Sequence, residues 1–139
     1  MLLGEYRYNV DAKGRVSVPP AFRDELGEAF VLCKGIDKTL WLYSKVEWGL
    51  FVEKLSKLPE TEARDIKRFF LSSAKTISCD GQGRILVPQT YRDHAFIDKD
   101  AVVIGADNRA EIWSASAWDK QLESMTDEKI TAAMLKLGL

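Results

Sequence analysis

The feature that most constrains this chain is an internal repeat. Asp11-Ala12-Lys13-Gly14-Arg15-Val16-Ser17-Val18-Pro19-Pro20-Ala21-Phe22-Arg23-Asp24 recurs as Asp80-Gly81-Gln82-Gly83-Arg84-Ile85-Leu86-Val87-Pro88-Gln89-Thr90-Tyr91-Arg92-Asp93, offset by 69 residues throughout. Seven of the fourteen positions are identical, and Val16/Ile85 and Phe22/Tyr91 are close substitutions. After one inserted residue the match resumes at an offset of 70. Gly35-Ile36-Asp37 then faces Gly105-Ala106-Asp107, Leu42-Tyr43-Ser44 faces Ile112-Trp113-Ser114, and Trp48 faces Trp118. Repetition at a fixed period marks structural units that bury their apolar faces against one another. The chain divides into a first copy over 1–58, a linker helix over 59–73, a second copy over 74–121 and a helical tail over 122–139.

Both copies follow one plan. A strand over 5–10, or 75–79, leads into an Asp-x-x-Gly-Arg turn, where glycine admits positive φ or a close approach. A short strand follows, Arg15–Val18 or Arg84–Val87, and ends at Pro19 or Pro88 because proline cannot donate to a ladder. The first copy then predicts a one- to two-turn helix over Pro20–Leu26 with Gly27 at its C-terminus. Phe30–Lys34 and Leu40–Tyr43, and in the second copy Ala101–Gly105 and Ala110–Trp113, are rich in β-branched and aromatic residues and read as strands. Ser44-Lys45-Val46-Glu47 has the form of a capping box. It opens a helix whose apolar stripe is Trp48, Phe51 or Val52, Leu55 and Leu58, repeated as Trp118, Leu122 and Met125. Further helices are expected over Glu62–Ser72, with Ile66, Phe69 and Phe70 inward, and over Asp127–Leu137, capped by Thr126 and carrying Ile130, Met134 and Leu137 on one side. The four tryptophans at 41, 48, 113 and 118 sit at strand ends and helix starts, which suits core packing better than base stacking. Each copy alone is too small for a comfortable core. The simplest assembly is an α+β pseudo-dimer, a small mixed barrel of both copies with helices packed outside.

Composition narrows the function. The 139 residues are 46% hydrophobic and 29% charged, an ordinary globular balance. No apolar run approaches the ~20 residues of a spanning helix, and Met1–Arg7 lacks the layout of a secretory signal, so a soluble, cytoplasmic protein is expected. Cys33 and Cys79 form no CxxC pair and read as small buried hydrophobes. His94, the one histidine, reads as a surface residue and has no zinc-ligand neighbours in sequence. No P-loop, GxSxG or HExxH motif is present, and the repeated aspartate lies beside arginine rather than a base, so neither enzyme chemistry nor a metal or cofactor is expected. With 20 basic and 21 acidic side chains the net charge is −1, which argues against indiscriminate nucleic-acid binding. Any such role must rest on a local arrangement of a few cations.

The candidates for that arrangement lie in the repeated turns. Asp11 and Asp80 suit a turn role, accepting backbone N–H groups, with Gly14 and Gly83 as the other structural turn residues. Arg15 and Arg84 admit two readings. Each can return a bidentate salt bridge to its aspartate, and each is well suited to phosphate oxygens or guanine O6/N7. Arg7 and Lys13 add charge near the first turn. In a strand, Glu5, Arg7 and Asn9 share one face and Tyr6, Tyr8 and Val10 the other. Arg23-Asp24 and Arg92-Asp93 read as helix-surface pairs of little energetic consequence.

These residues resemble a known element. The Asp-x-x-Gly-Arg turn, short strand, proline and aromatic-Arg helix are similar to the AbrB-like (SpoVT-AbrB) DNA-binding element. Two tandem copies, with Gly4, Asp11-x-Lys13-Gly14-Arg15, Asp80-x-Gln82-Gly83-Arg84-Ile85-Leu86-Val87-Pro88 and Val103-Ile104-Gly105 through Glu111-Ile112-Trp113, resemble the bacterial MraZ family over residues 1–120. The resemblance implies a swapped-hairpin barrel within one chain and a homo-oligomeric ring. It also implies a transcriptional regulator acting on double-stranded DNA repeats in the promoter of its own division and cell-wall gene cluster, and hence nucleoid association. It carries the DNA-contacting role onto Arg15 and Arg84, with Lys13 and Gln82 inside the turns. Arg7 joins them by the strand argument and Lys75 by proximity. Neither a membrane nor a small-molecule substrate is implied. The alternative of another class is an AbrB-like interaction module, such as an antitoxin whose tail helix binds a protein.

Overall fold

The computed structural model describes all residues from Met1 to Leu139. The first copy contributes β1 (Glu5–Asn9), β2 (Arg15–Ser17), α1 (Pro20–Leu26), β3 (Phe30–Lys34), β4 (Leu40–Ser44) and α2 (Lys45–Leu55). After the linker helix α3 (Glu60–Ser73) the same series returns as β5 (Lys75–Ile77), β6 (Arg84–Leu86), α4 (Gln89–His94), β7 (Asp100–Gly105), β8 (Ala110–Ser114) and α5 (Ala115–Ser124), followed by α6 (Asp127–Lys136). The equivalence extends to the backbone. Asp37 and Asp107, paired at the offset of 70, both have φ of 66°.

The strands form a six-stranded antiparallel sheet in the order β1-β7-β8-β4-β3-β5 and a two-stranded ribbon of β2 with β6. A pseudo-dyad between β4 and β8 relates the two ends. β1 of the first copy adds to the second copy's hairpin, with Arg7 opposite Val102. β5 of the second copy adds to the first copy's hairpin, with Thr76 opposite Val31. The ribbon takes one strand from each copy, with Val16 opposite Ile85. Neither copy completes a sheet by itself. The hydrogen bonding does not close into the expected barrel, because β1 and β5 remain the edges of the sheet. The prolines at 19 and 88 stop β2 and β6 after three residues, and the next N–H groups bond within the ribbon, Val18 to Gly83 O and Val87 to Gly14 O, both at 2.9 Å. What stands is an α+β fold of an open sheet with a ribbon over one face.

The main core lies between sheet and ribbon, where Val16, Val18, Ile85 and Val87 meet Phe22, Phe30, Leu32, Leu42, Val103 and Ile112. Tyr6 and Tyr8 pack on it, as strand alternation requires. On the sheet's other face α2 and α3 cover Cys33, Trp41, Tyr43 and Phe70. Burial pushes the Cys33 thiol up to about 12, so it is a packing group. Val102, Trp113 and Trp118 form a smaller cluster beneath α5. Ser44, Ser114 and Thr126 cap α2, α5 and α6 through their hydroxyls.

Several side chains depart from expectation. Phe69 is exposed while Phe70 is buried. Leu58 lies beyond the end of α2, because the helix stops at Leu55 and Pro59 is the N-cap residue of α3. Leu122, Met125, Ile130, Met134 and Leu137 are exposed, since no segment equivalent to α3 covers the second copy. Cys79 is only half-buried. His94 is not a free surface group: it ends α4 with Nε2 3.0 Å from Gly35 O of the first copy. No helix is long and apolar enough to cross a membrane.

Because each copy lends strands to the other, residues 1–69 alone are expected to be unfolded or to self-associate, never a folded monomer. Circular dichroism with sedimentation equilibrium measures this. A further expectation is that Ile85→Ala, at a fully buried site, lowers stability by about 2–5 kcal/mol in chemical denaturation.

Candidate nucleic-acid interface

Each turn is built around one aspartate. Asp11 Oδ1 accepts the backbone N–H groups of Lys13 (3.0 Å) and Arg15 (2.9 Å), and Asp11 Oδ2 accepts Arg15 Nε–H. Asp80 Oδ1 accepts from Gln82 and Arg84 N–H, both at 2.9 Å, and its Oδ2 accepts from Arg84 Nε–H at 3.0 Å. The backbone closes the same loops, Gly14 N–H donating to Asp11 O and Gly83 N–H to Asp80 O, both at 3.0 Å. Donors converging on the ionised form hold both carboxyls below the usual carboxylate range. Asp11 falls to about 2, led by the Arg15 backbone N–H, and Asp80 falls through the Arg84 backbone N–H.

The two readings of the arginines are therefore compatible. Asp11 ties Arg15 through Nε alone, and neither of its Nη atoms has a hydrogen-bond partner in the protein. Arg84 is held through Nε in the same way, and its Nη1 lies 3.6 Å from Asp11 Oδ2 of the other copy. The anchoring bond orients each fork and leaves both Nη atoms of Arg15 and the Nη2 of Arg84 open, which is the preorganisation that recognition of a base edge or phosphate needs. The side chains of Arg15 and Arg84 are 33% and 26% exposed. Cross-strand pairing sets Arg15 beside Leu86 and Ser17 beside Arg84, with Val16 and Ile85 turned into the core between them. Ser17, polar in an otherwise apolar strand, faces outward for this reason.

The remaining candidates are distributed unevenly. Lys13 and Gln82 are exposed at the tips of the two turns. Arg7 donates to Asp119 on α5 at 2.8 Å and to Glu5 at 3.2 Å, and it makes no hydrogen bond or ion pair with either turn. Lys75 is exposed on the edge strand β5, in a groove with Lys45 and Trp48, five residues before Asp80, which is roughly 16 Å of extended chain. The structure sets Arg15 and Arg84 on one face of the ribbon, with Lys13 and Gln82 at the tips of the turns that lead into them, and ties Arg7 to Asp119 and Glu5 instead.

Two arginines that the sequence assigns to helix-surface pairs, Arg23 and Arg92, belong instead to the turns. Neither Arg23-Asp24 nor Arg92-Asp93 forms the expected surface pair; Asp93 instead accepts from Gln89 Nε2 at 2.7 Å. The arginines reach across the ribbon to the opposite copy. A Cβ on Gly14 would fall 2.6 Å from Arg92 Cζ, and one on Gly83 would fall 2.6 Å from Arg23 Cζ. Gly14 and Gly83 also have φ of 85° and 76°, so the backbone requires glycine at both, and at Gly14 the Val87 carbonyl 2.9 Å from the Cβ position closes the space as well. Arg23 Nε and Arg92 Nε are buried there without a hydrogen-bond partner. A cation thus supports each turn from the opposite copy. The available signal was the identity of this arginine in both copies, where the tip residue differs.

Comparison with known proteins finds the same twofold repetition along the chain. The family model described as "MraZ protein, putative antitoxin-like" matches residues 1–69 and again 70–137. A relative from Alkaliphilus oremlandii is 46% identical, and one from Caldicellulosiruptor saccharolyticus 48% identical, each over 100% of both chains. A Thermoanaerobacter relative is 50% identical over 86% of this chain and 85% of its own. All three bear the name transcriptional regulator MraZ.

Gly83→Ala is expected to cost at least about 1 kcal/mol from positive φ alone, and more from displacing Arg23, as read by the denaturation midpoint. The depressed carboxyls predict acid sensitivity. An unfolded chain binds the Asp11 proton near pH 4 and the folded chain only near pH 2, and Asp80 is shifted in the same direction. Their stabilisation is therefore complete above pH 4 and lost as pH falls toward 2. Asp11→Asn is expected to flatten part of that fall in denaturation curves from pH 6 to 2.

Proposed function

The chain belongs to the MraZ family, and we propose that it is a sequence-specific DNA-binding transcriptional regulator rather than an enzyme. Its operator is a set of repeated boxes upstream of its own gene, in the division and cell-wall cluster, and its place of work is the nucleoid. The observation that carries this reading is the ribbon with its two flanking turns. Arg15 and Arg84 are each anchored through Nε, Arg15 with both Nη atoms open and Arg84 with Nη2 open while its Nη1 faces Asp11, and Lys13 and Gln82 stand at the exposed tips. Guanidinium edges presented in this way match guanine O6/N7 and phosphate oxygens. Lys13 against Gln82 makes the first turn the more cationic, so the two turns contribute unequally to phosphate contact.

A single ribbon offers few phosphate contacts and binds weakly by itself. A homo-oligomeric ring would present many ribbons to one DNA, and boxes spaced to match would gain affinity through effective concentration. That accounts for specific binding by a chain of net charge −1. Arg7 and Lys75, distant from the turns, would act on flanking phosphates if they act at all.

A second reading has an observation of its own. Helix α6 has no buried residue, and Ile130, Met134 and Leu137 are exposed along it, as an interaction module of the antitoxin type requires. A pull-down with the full chain, and with one ending before Thr126, separates the two readings. A specific protein lost with the tail, together with absent operator preference, would favour the module.

The direct test is fluorescence anisotropy at fixed salt, comparing upstream DNA with a scrambled duplex of equal length. Arg15→Ala and Arg84→Ala are each expected to weaken operator binding by roughly ten- to a hundredfold. Little change in melting temperature is expected, because partly exposed ion pairs contribute little to stability. Intact binding with a large loss of stability would give the arginines a structural role only.

A further inference from the structure

The outward face of the ribbon consists of four side chains in two cross-strand pairs, Arg15 with Leu86 and Ser17 with Arg84. The pseudo-dyad of the fold exchanges Arg15 with Arg84 and Ser17 with Leu86. The first exchange keeps the chemistry of the position, because each guanidinium is anchored through Nε by its own aspartate, Arg84 adding a 3.6 Å approach to Asp11. The second replaces a hydroxyl by an isobutyl group. Leu86 is 58% exposed, although its neighbours Ile85 and Val87 are fully buried. It cannot turn inward, since a one-residue slip would expel both of them from the core. It stands directly across from Arg15 and two residues from Arg84, so one apolar group lies between two cationic forks.

We propose that Leu86 is a specificity-determining residue that packs on a thymine methyl group, so that a single chain reads a box with two unlike halves in one orientation. This rests on the operator reading above. The major groove admits a two-stranded β-ribbon, and the C5 methyl of thymine is the apolar group that a base edge presents there. Arginine matches guanine O6/N7, and a serine hydroxyl accepts or donates to any polar edge. The half facing Arg15 and Leu86 therefore calls for guanine near thymine. The half facing Arg84 and Ser17 calls for guanine near a polar edge. The two copies share a fold and an anchored arginine, and Ser17 against Leu86 on the ribbon face, with Lys13 against Gln82 at the turn tips, gives the ribbon its polarity.

The test is anisotropy at fixed salt with the full-length chain and its Leu86→Ala variant. Duplexes from upstream of the gene have each thymine replaced in turn by deoxyuridine, which removes only the methyl. At one thymine per box, deoxyuridine is expected to weaken the unmutated chain about fourfold, the equivalent of one buried methyl. Leu86→Ala is expected to bind the unmodified duplex as weakly and to ignore the substitution. Its melting temperature is expected to be unchanged, because the side chain lies outside the core. Indifference of the unmutated chain to deoxyuridine at every thymine overturns the proposal, as does Leu86→Ala keeping the full sensitivity. Failure of the unmutated chain to prefer the upstream duplex over the scrambled one is a separate result that overturns the operator reading beneath it.

Discussion

Everything in this fold depends on a reciprocal clasp across the ribbon. Val18 N–H bonds to Gly83 O and Val87 N–H to Gly14 O, so each copy's strand ends on the other copy's turn. Arg92 and Arg23, each from the opposite copy, lie against those same glycines. Remove the clasp and β2 and β6 have no partner, Val16 and Ile85 have no core to face, and the two turns lose their cross-copy contacts. The clasp also explains why the repeat sits within one chain. Covalent linkage turns what would be a bimolecular pairing into an intramolecular one, at an effective concentration set by the α3 linker.

The same geometry gives the turns their chemistry. An aspartate that collects two backbone N–H groups has one oxygen left, and it uses that oxygen on arginine Nε. The guanidinium is then fixed in direction but open at its outer edge. Stability and recognition draw on different atoms of the same side chain, so the structural role of the Asp–Arg bond and a nucleic-acid role for the fork do not compete. The cross-copy approach of Arg84 to Asp11 joins the two turns into one electrostatic unit.

Much of this was legible along the chain. The repeat, its element order, the serine and threonine caps and the strand alternation of Tyr6 and Tyr8 follow from local rules of period, capping and turn chemistry. Arg23 and Arg92 show where such rules stop. Beside Asp24 and Asp93 on short helices they resemble surface pairs, because sequence distance measures proximity only within an element. Their true neighbours, Gly83 and Gly14, are about sixty to eighty residues away along the chain. Arg7 errs in the same direction: its strand face was read correctly, but its partner Asp119 belongs to a helix 112 residues later. The tail misled for another reason. An apolar stripe on α6 predicts burial only if something is there to cover it, and within this chain nothing does.

The amino-acid sequence by itself determined that the chain is two copies of one unit, that each copy turns at Asp-x-x-Gly-Arg, and that the prolines at 19 and 88 end the strands that follow. These are consequences of backbone preference and side-chain period, which act over a few residues. Only the tertiary structure decided that the copies interleave, that the sheet stays open with β1 and β5 at its edges, and that each turn rests on an arginine from the other copy. Those outcomes depend on which buried surfaces meet. Burial is roughly proportional to area and has no memory of chain position, so pairings between distant segments are selected by packing rather than written in any local stretch.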